Sequence, residues 1–160
     1  MIPWPFSKWG IDILGPFLLA NGQVKFLIIT IDYFIKWIED ELIATISARQ
    51  VQSFLWKNVI CRHGLPHSVV TNNGRQFTDK NFEQSLNQLG IKHLASSVEH
   101  PQSNGQAEAA NKVILGELRK KLGQKKGLWV EEIPGILWGY YCTPQSSTKE
   151  TPYRLTGQTL

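Results

Sequence analysis

Apolar and polar positions alternate between two periods along this chain, and the change of period marks its elements. Lys8 to Leu14 reads as a strand that stops at Gly15-Pro16. Val24 to Ile31 is an almost unbroken apolar run, which predicts a strand covered on both faces. Asp32-Tyr33-Phe34 turns the chain, and Asp32 reads as a turn aspartate. Trp37 to Ile43 follows as a third strand, more charged and so nearer a sheet edge.

The period then lengthens. Ser47 is a predicted N-cap, Val51, Phe54, Leu55 and Val59 fall at helical spacing, and Gly64-Leu65-Pro66 ends that helix. Val69-Val70 forms a short buried strand running into the polar turn Thr71-Asn72-Asn73-Gly74. Thr78-Asp79 caps a helix with Phe82, Leu86 and Leu89 on one face and Gly90 as its stop. Ile91 to Leu94 is a further short strand.

A polar loop, His100 to Gln106, opens a long helix. Ala107, Ala110, Asn111, Ile114, Leu118 and Leu122 form its predicted buried stripe, while Glu108, Lys112, Leu115 and Arg119 share another face. Trp129 to Tyr141 is a last packed helix, with Pro134 either in its first turn or kinking it. The expectation is a single domain over residues 1–160, with a turn-rich tail from 143 whose order is open. Strands that alternate with helices predict an α/β fold with a mixed sheet.

Composition narrows the classes. The balance of 42% apolar and 19% charged residues is that of a globular domain. No apolar run approaches the length of a membrane span, so no membrane partner is expected. Met1 to Phe6 lacks the blocks of a signal peptide. Net charge is +4, which permits an anionic partner such as nucleic acid. Cys61-Arg62-His63 has no second Cys/His pair nearby, and the reading is a helix-end cysteine and a surface imidazole.

Three positions carry candidate chemistry. Asp12 lies inside an apolar strand, where a carboxylate is costly unless paired or metal-bound. Asn72 follows a strand, at the carboxyl edge of a sheet where reacting groups collect. Glu108 stands in the first turn of a helix. Thirty-five residues lie between positions 72 and 108.

In that spacing the sequence resembles the catalytic core of retroviral and retrotransposon integrases, which carry an Asp, Asp, Glu triad. The blocks Trp9-Gly10-Ile11-Asp12-Ile13-Leu14-Gly15-Pro16, Ile31-Asp32-Tyr33-Phe34-Ile35-Lys36-Trp37, Asn73-Gly74-Arg75-Gln76-Phe77 and His100-Pro101-Gln102-Ser103-Asn104-Gly105-Gln106-Ala107-Glu108 look like that family. So do Leu137-Trp138-Gly139-Tyr140 and Thr151-Pro152-Tyr153. The likeness is nearest to integrases of gypsy-class long-terminal-repeat retrotransposons, especially those of plants. It implies a ribonuclease H-like fold, a five-stranded mixed sheet flanked by helices. It also implies Mg2+ or Mn2+ held by positions 12, 72 and 108, DNA as substrate, a homodimer or higher multimer, and work in the nucleus, although no targeting signal is visible. The family's zinc-binding domain and its further DNA- or chromatin-binding region would lie outside this chain.

By the same resemblance Asn104 and Gln106 belong to an active-site loop and Lys112 approaches a DNA phosphate. The plainer readings are an N-cap turn for the first two and an intrahelical Glu-Lys pair for the third. Lys120, Lys121, Lys125 and Lys126 either track DNA or finish a solvated helix end. The departure from the family is Asn72, where the motif has Asp. An amide oxygen can ligate a hard cation but brings no charge, so the expectation is a core inactive as written. The alternative is a non-catalytic nucleic-acid-binding or dimerising module derived from such a core. A hybrid-cleaving ribonuclease H relative is a third reading, disfavoured because its extra acid is not evident.

Overall fold

The computed structural model describes residues 4–95, 105–145 and 148–156, with residues 105–108 described through their backbone alone. Five strands, β1 (Lys8–Leu14), β2 (Phe26–Asp32), β3 (Ile38–Ile43), β4 (Ser68–Thr71) and β5 (Lys92–Ala95), form one sheet in the order β3-β2-β1-β4-β5. β1 is antiparallel to β2 and parallel to β4; β2 and β3 pair antiparallel, β4 and β5 parallel. The sheet is the mixed, five-stranded one expected. The charged third strand is an edge strand, and the strand that carries Asp12 is central.

Helices cover both faces. On one side α1 (Ala48–Phe54) continues through a wider π-helical stretch, Leu55–Ile60, into α2 (Cys61–His63). Two more helices, α3 (Arg75–Thr78) and α4 (Lys80–Gln88), join them there. The cluster beneath them includes Trp9, Ile28, Phe54, Val69, Phe82 and Leu86. On the other side lie α5 (Gly105–Gln124) and α6 (Trp129–Tyr141), over Leu27, Ile29, Ile31, Leu118, Trp129 and Ile133. A short α7 (Pro152–Leu155) contacts α6.

The unbroken apolar run of β2 now has its cause. Ile28 faces one cluster while Leu27, Ile29 and Ile31 face the other, so both sides of the strand are dry. Each such side chain contributes about 1.5–3 kcal/mol on burial.

Capping residues set the helix boundaries. Ser47 accepts from the Gln50 N–H, and Asp79 from the Asn81 N–H. Gly64 ends α2 at a positive φ of 92°, which a Cβ would oppose. Pro134 is the sixth residue of α6, past its first turn and inside a helix that continues beyond it. Without an N–H it gives the Val130 carbonyl no partner, and its ring lies on the exposed face of the helix.

Asp32 is a turn residue as read, but a buried one. It accepts from the N–H groups of Phe34 (3.1 Å) and Ile35 (2.7 Å), and also from Phe6 (2.8 Å), so it ties the chain start to the β2–β3 turn. Burial pushes its carboxyl up to about 6 against those three bonds and Lys36.

Candidate active site at the carboxyl edge of the sheet

Two strands bring Asp12 and Asn72 together. The parallel pairing of β1 with β4 ends at Gly10 opposite Val70. Two residues further along each chain are Asp12 and Asn72, side by side where β4 leaves the sheet. Because the strands are parallel, both lie at the same carboxyl edge. The Asn72 Nδ2 stands 3.4 Å from the Asp12 Oδ1.

Asp12 is half-buried. Its Oδ1 also accepts from the Ile13 N–H at 2.8 Å. Burial pushes its carboxyl above the ordinary range, opposed by that N–H and by the Arg119 guanidinium, whose Nη2 lies 3.9 Å from Oδ2.

Asn72 is exposed, and its amide is committed locally. Its Oδ1 accepts from the Gly74 N–H at 2.7 Å, closing an Asx turn. A Cβ at Gly74 would stand 2.9 Å from the Asn72 Oδ1 and 2.6 Å from the Gln76 Nε2, so a side chain there would push both groups aside.

Glu108 is the fourth residue of α5, in its first turn as read, but its side chain lies outside the described residues, as does that of Gln106. Asn104 is outside them entirely. Lys112 is exposed one turn further on. Arg119, on the Glu108 face of the same helix, is the contact to Asp12 that the sequence reading did not assign. Its signal was present in the eleven-residue spacing, about three helical turns.

A second group was also missed. Beneath Asn72 the Thr71 Oγ1 lies 3.0 Å from the Asn72 carbonyl oxygen and 2.7 Å from the His93 Nε2, and the His93 Nδ1 meets Glu83 in a short contact. No spacing in the sequence signals this, because it joins β4, β5 and α4.

The surface-imidazole reading of His63 is corrected. Its ring stacks on Phe6 with centroids 4.4 Å apart and lies 2.9 Å from the buried Glu39, which also holds Arg62 at 2.8 Å and the Trp37 indole at 2.8 Å. Cys61 is exposed, and no metal-ligand grouping occurs there among the described residues.

The donor set decides what the edge can hold. Among the described residues it offers one carboxylate, faced by a guanidinium, and one neutral amide whose oxygen is already bound. Two hard dications need several anionic oxygens between them. The described side chains do not fit that pair.

Residues 3–101 match the family model described as Integrase core domain. The chain is 29% identical over 140 residues to the Gag-Pol polyprotein of avian reticuloendotheliosis virus, a match covering 88% of this chain and 12% of that protein. It is 23% identical over 149 residues to the gypsy retrotransposon integrase-like protein 1 of Rattus norvegicus, covering 93% and 28% respectively. It therefore spans a minor part of either relative. The HTLV-2 integrase catalytic core domain, solved in complex with magnesium in a trimeric form, superposes with a TM-score of 0.64 at 19% identity over 94% of this chain and 95% of that one. The fold is the ribonuclease H-like one of retroviral integrase cores.

Proposed function

The chain belongs to the integrase core domain family, and from that premise we propose that it is the core of a gypsy-class retrotransposon integrase of plant type. It derives from an enzyme that processes DNA ends and joins them to target DNA, and as written it carries out little or no metal-dependent phosphoryl transfer. Residues 1–160 act as one domain, on DNA, in a dimer or higher multimer, within the nucleus.

The observation that carries the inactive reading is the pose of Asn72. Its oxygen holds Gly74, and its nitrogen, a donor, faces the carboxylate that would hold the metal. A cation at Asp12 would meet an N–H dipole of the wrong sign. An aspartate at 72 would bring a charge and a second free oxygen, and Glu108 in the first turn of α5 would complete the set.

A second reading has its own support. Arg119 and the Asn72 amide both face Asp12, so the carboxylate is compensated without any metal. That suits a DNA-binding or dimerising module that kept the fold. The experiment is a thermal melt of the parent and Asn72→Asp with and without Mn2+, then disintegration of a branched DNA. Metal-dependent stabilisation and strand cleavage in the variant alone support the integrase core. An active parent overturns the inactive reading, and an inert variant favours the module.

A further inference from the structure

We infer that His93 is a positioning residue for position 72: with Glu83 behind it, it holds the Thr71 hydroxyl against the Asn72 carbonyl and so fixes the backbone at the metal-ligand position. The inference deepens the integrase reading and takes the importance of position 72 from it.

The geometry is built from three elements. Val69 on β4 pairs with His93 on β5, so Thr71 is the diagonal neighbour of His93. Both are shielded, Thr71 at 2% exposure and the His93 side chain at 7%. Phe82 of α4 meets the imidazole edge-on, with centroids 5.4 Å apart at 89°, and fixes the ring plane. Glu83, the next residue of α4, reaches the Nδ1. The ring is therefore held on one side by a carboxylate and on its edge by a phenyl group, leaving Nε2 aimed at Thr71.

What distinguishes this from an ordinary satisfied histidine is where the chain of contacts ends. Thr71 is the last residue of β4, and its hydroxyl touches the Asn72 carbonyl at 3.0 Å. Among the described residues the ladder ends here, with the β1 pairing at Val70 and the β5 pairing at Thr71 itself. Among the described residues, the other hold on residue 72 is its own side chain, through the Gly74 N–H. A ligand displaced by an ångström loses much of its worth, and a buried neighbour that fixes it acts as an outer support.

The test needs neither metal nor DNA, so it stands apart from the outcome of the integrase reading. In the 15N-labelled chain, the Gly74 amide reports the pose of Asn72, and the His93 ring nitrogens report the Thr71 contact. Thr71→Val keeps the shape and removes the hydroxyl; His93→Phe removes the ring nitrogens. Val59→Ala, a buried site in α1's continuation, serves as a control of lowered stability. Both test variants are expected to give several-fold faster Gly74 amide exchange than the control at matched global stability, and Thr71→Val to move the His93 nitrogen signals. If His93→Phe does not fold, Thr71→Val alone decides. Gly74 exchange in Thr71→Val no faster than in Val59→Ala, or unmoved His93 signals, would overturn the inference.

Discussion

Asn72 presents its amide nitrogen to Asp12 at 3.4 Å because the Gly74 N–H has claimed its oxygen. The relationship gives a prediction for the metal-free protein. Asn72→Asp replaces a donor facing a carboxylate with a second carboxylate, and each raises the other. At pH 7 the variant should be less stable than the parent by about 0.5–1 kcal/mol, the size of a like-charge surface pair. As pH falls and the pair takes up protons, the difference should shrink and then vanish. Melts across that range without metal check it. A constant difference would mean that the two side chains do not interact.

Lys36 is buried, and its Nζ donates to the Asn111 Oδ1 at 2.7 Å. Burial pulls the ammonium down to about 8, with Asp32 opposing. A folded value below the unfolded one means that the native state holds this proton less tightly. This group's contribution to stability should therefore rise with pH between about 8 and 10.5. Lys36→Met should remove that rise. It should also cost about 1–3 kcal/mol, since the buried Asn111 Oδ1 would lose its donor and its Nδ2 has no partner among the described residues. Lys36→Met with Asn111→Leu should recover most of the loss. Denaturant titrations of the single and double variants decide it.

Asp40 stands on the edge strand between Glu39 and Glu41. Burial first, then Glu39, pushes its carboxyl up to about 6, with Arg62 opposing and Glu41 adding to the rise. A raised folded value means that the native state binds the proton more tightly, so stability from this group is full at low pH and is lost as pH rises through about 6. Asp40→Asn should stabilise the protein at pH 7, by at most about 3 kcal/mol on the linkage scale, and have no such effect below pH 4. Paired melts at pH 7 and pH 3.5 provide the check. An equal gain at both pH values would point to packing instead of charge.

Much of this fold was legible because its signals are local. β1 and α6 begin and end where the sequence reading put them, at Lys8 and Leu14 and at Trp129 and Tyr141, since turn residues and period changes bracket them. Asp12 was legible as central from the apolar residues around it. What was not legible depends on pairing across the sheet. The Asn111 side chain looked like one polar interruption in an apolar stripe, yet its partner Lys36 lies seventy-five residues away. The Thr71, His93 and Glu83 contacts require the β4–β5 register and the docking of α4 together. The π-helical widening at Leu55–Ile60 has no marker in the residues themselves.

Lys112 and Lys57 together test how DNA would meet this surface. Lys112 is exposed one turn past Glu108, and Lys57 lies on the π-helical continuation of α1. Lys57 is not a free charge, because its Nζ lies 3.0 Å from the Glu41 Oε1. Reversing it would set two acids together and disturb the edge strand, so Lys57→Gln is the fair comparison. Lys112 has the position to meet a phosphate, and losing one such contact lowers the salt slope of binding by about one. Lys112→Gln should therefore weaken binding to any DNA duplex alike and flatten the slope, while Lys57→Gln leaves the slope unchanged. A titration from low to physiological salt measures both. If the two variants lose affinity equally with parallel slopes, the +4 net charge acts as a diffuse attraction, and DNA has no fixed path past α5.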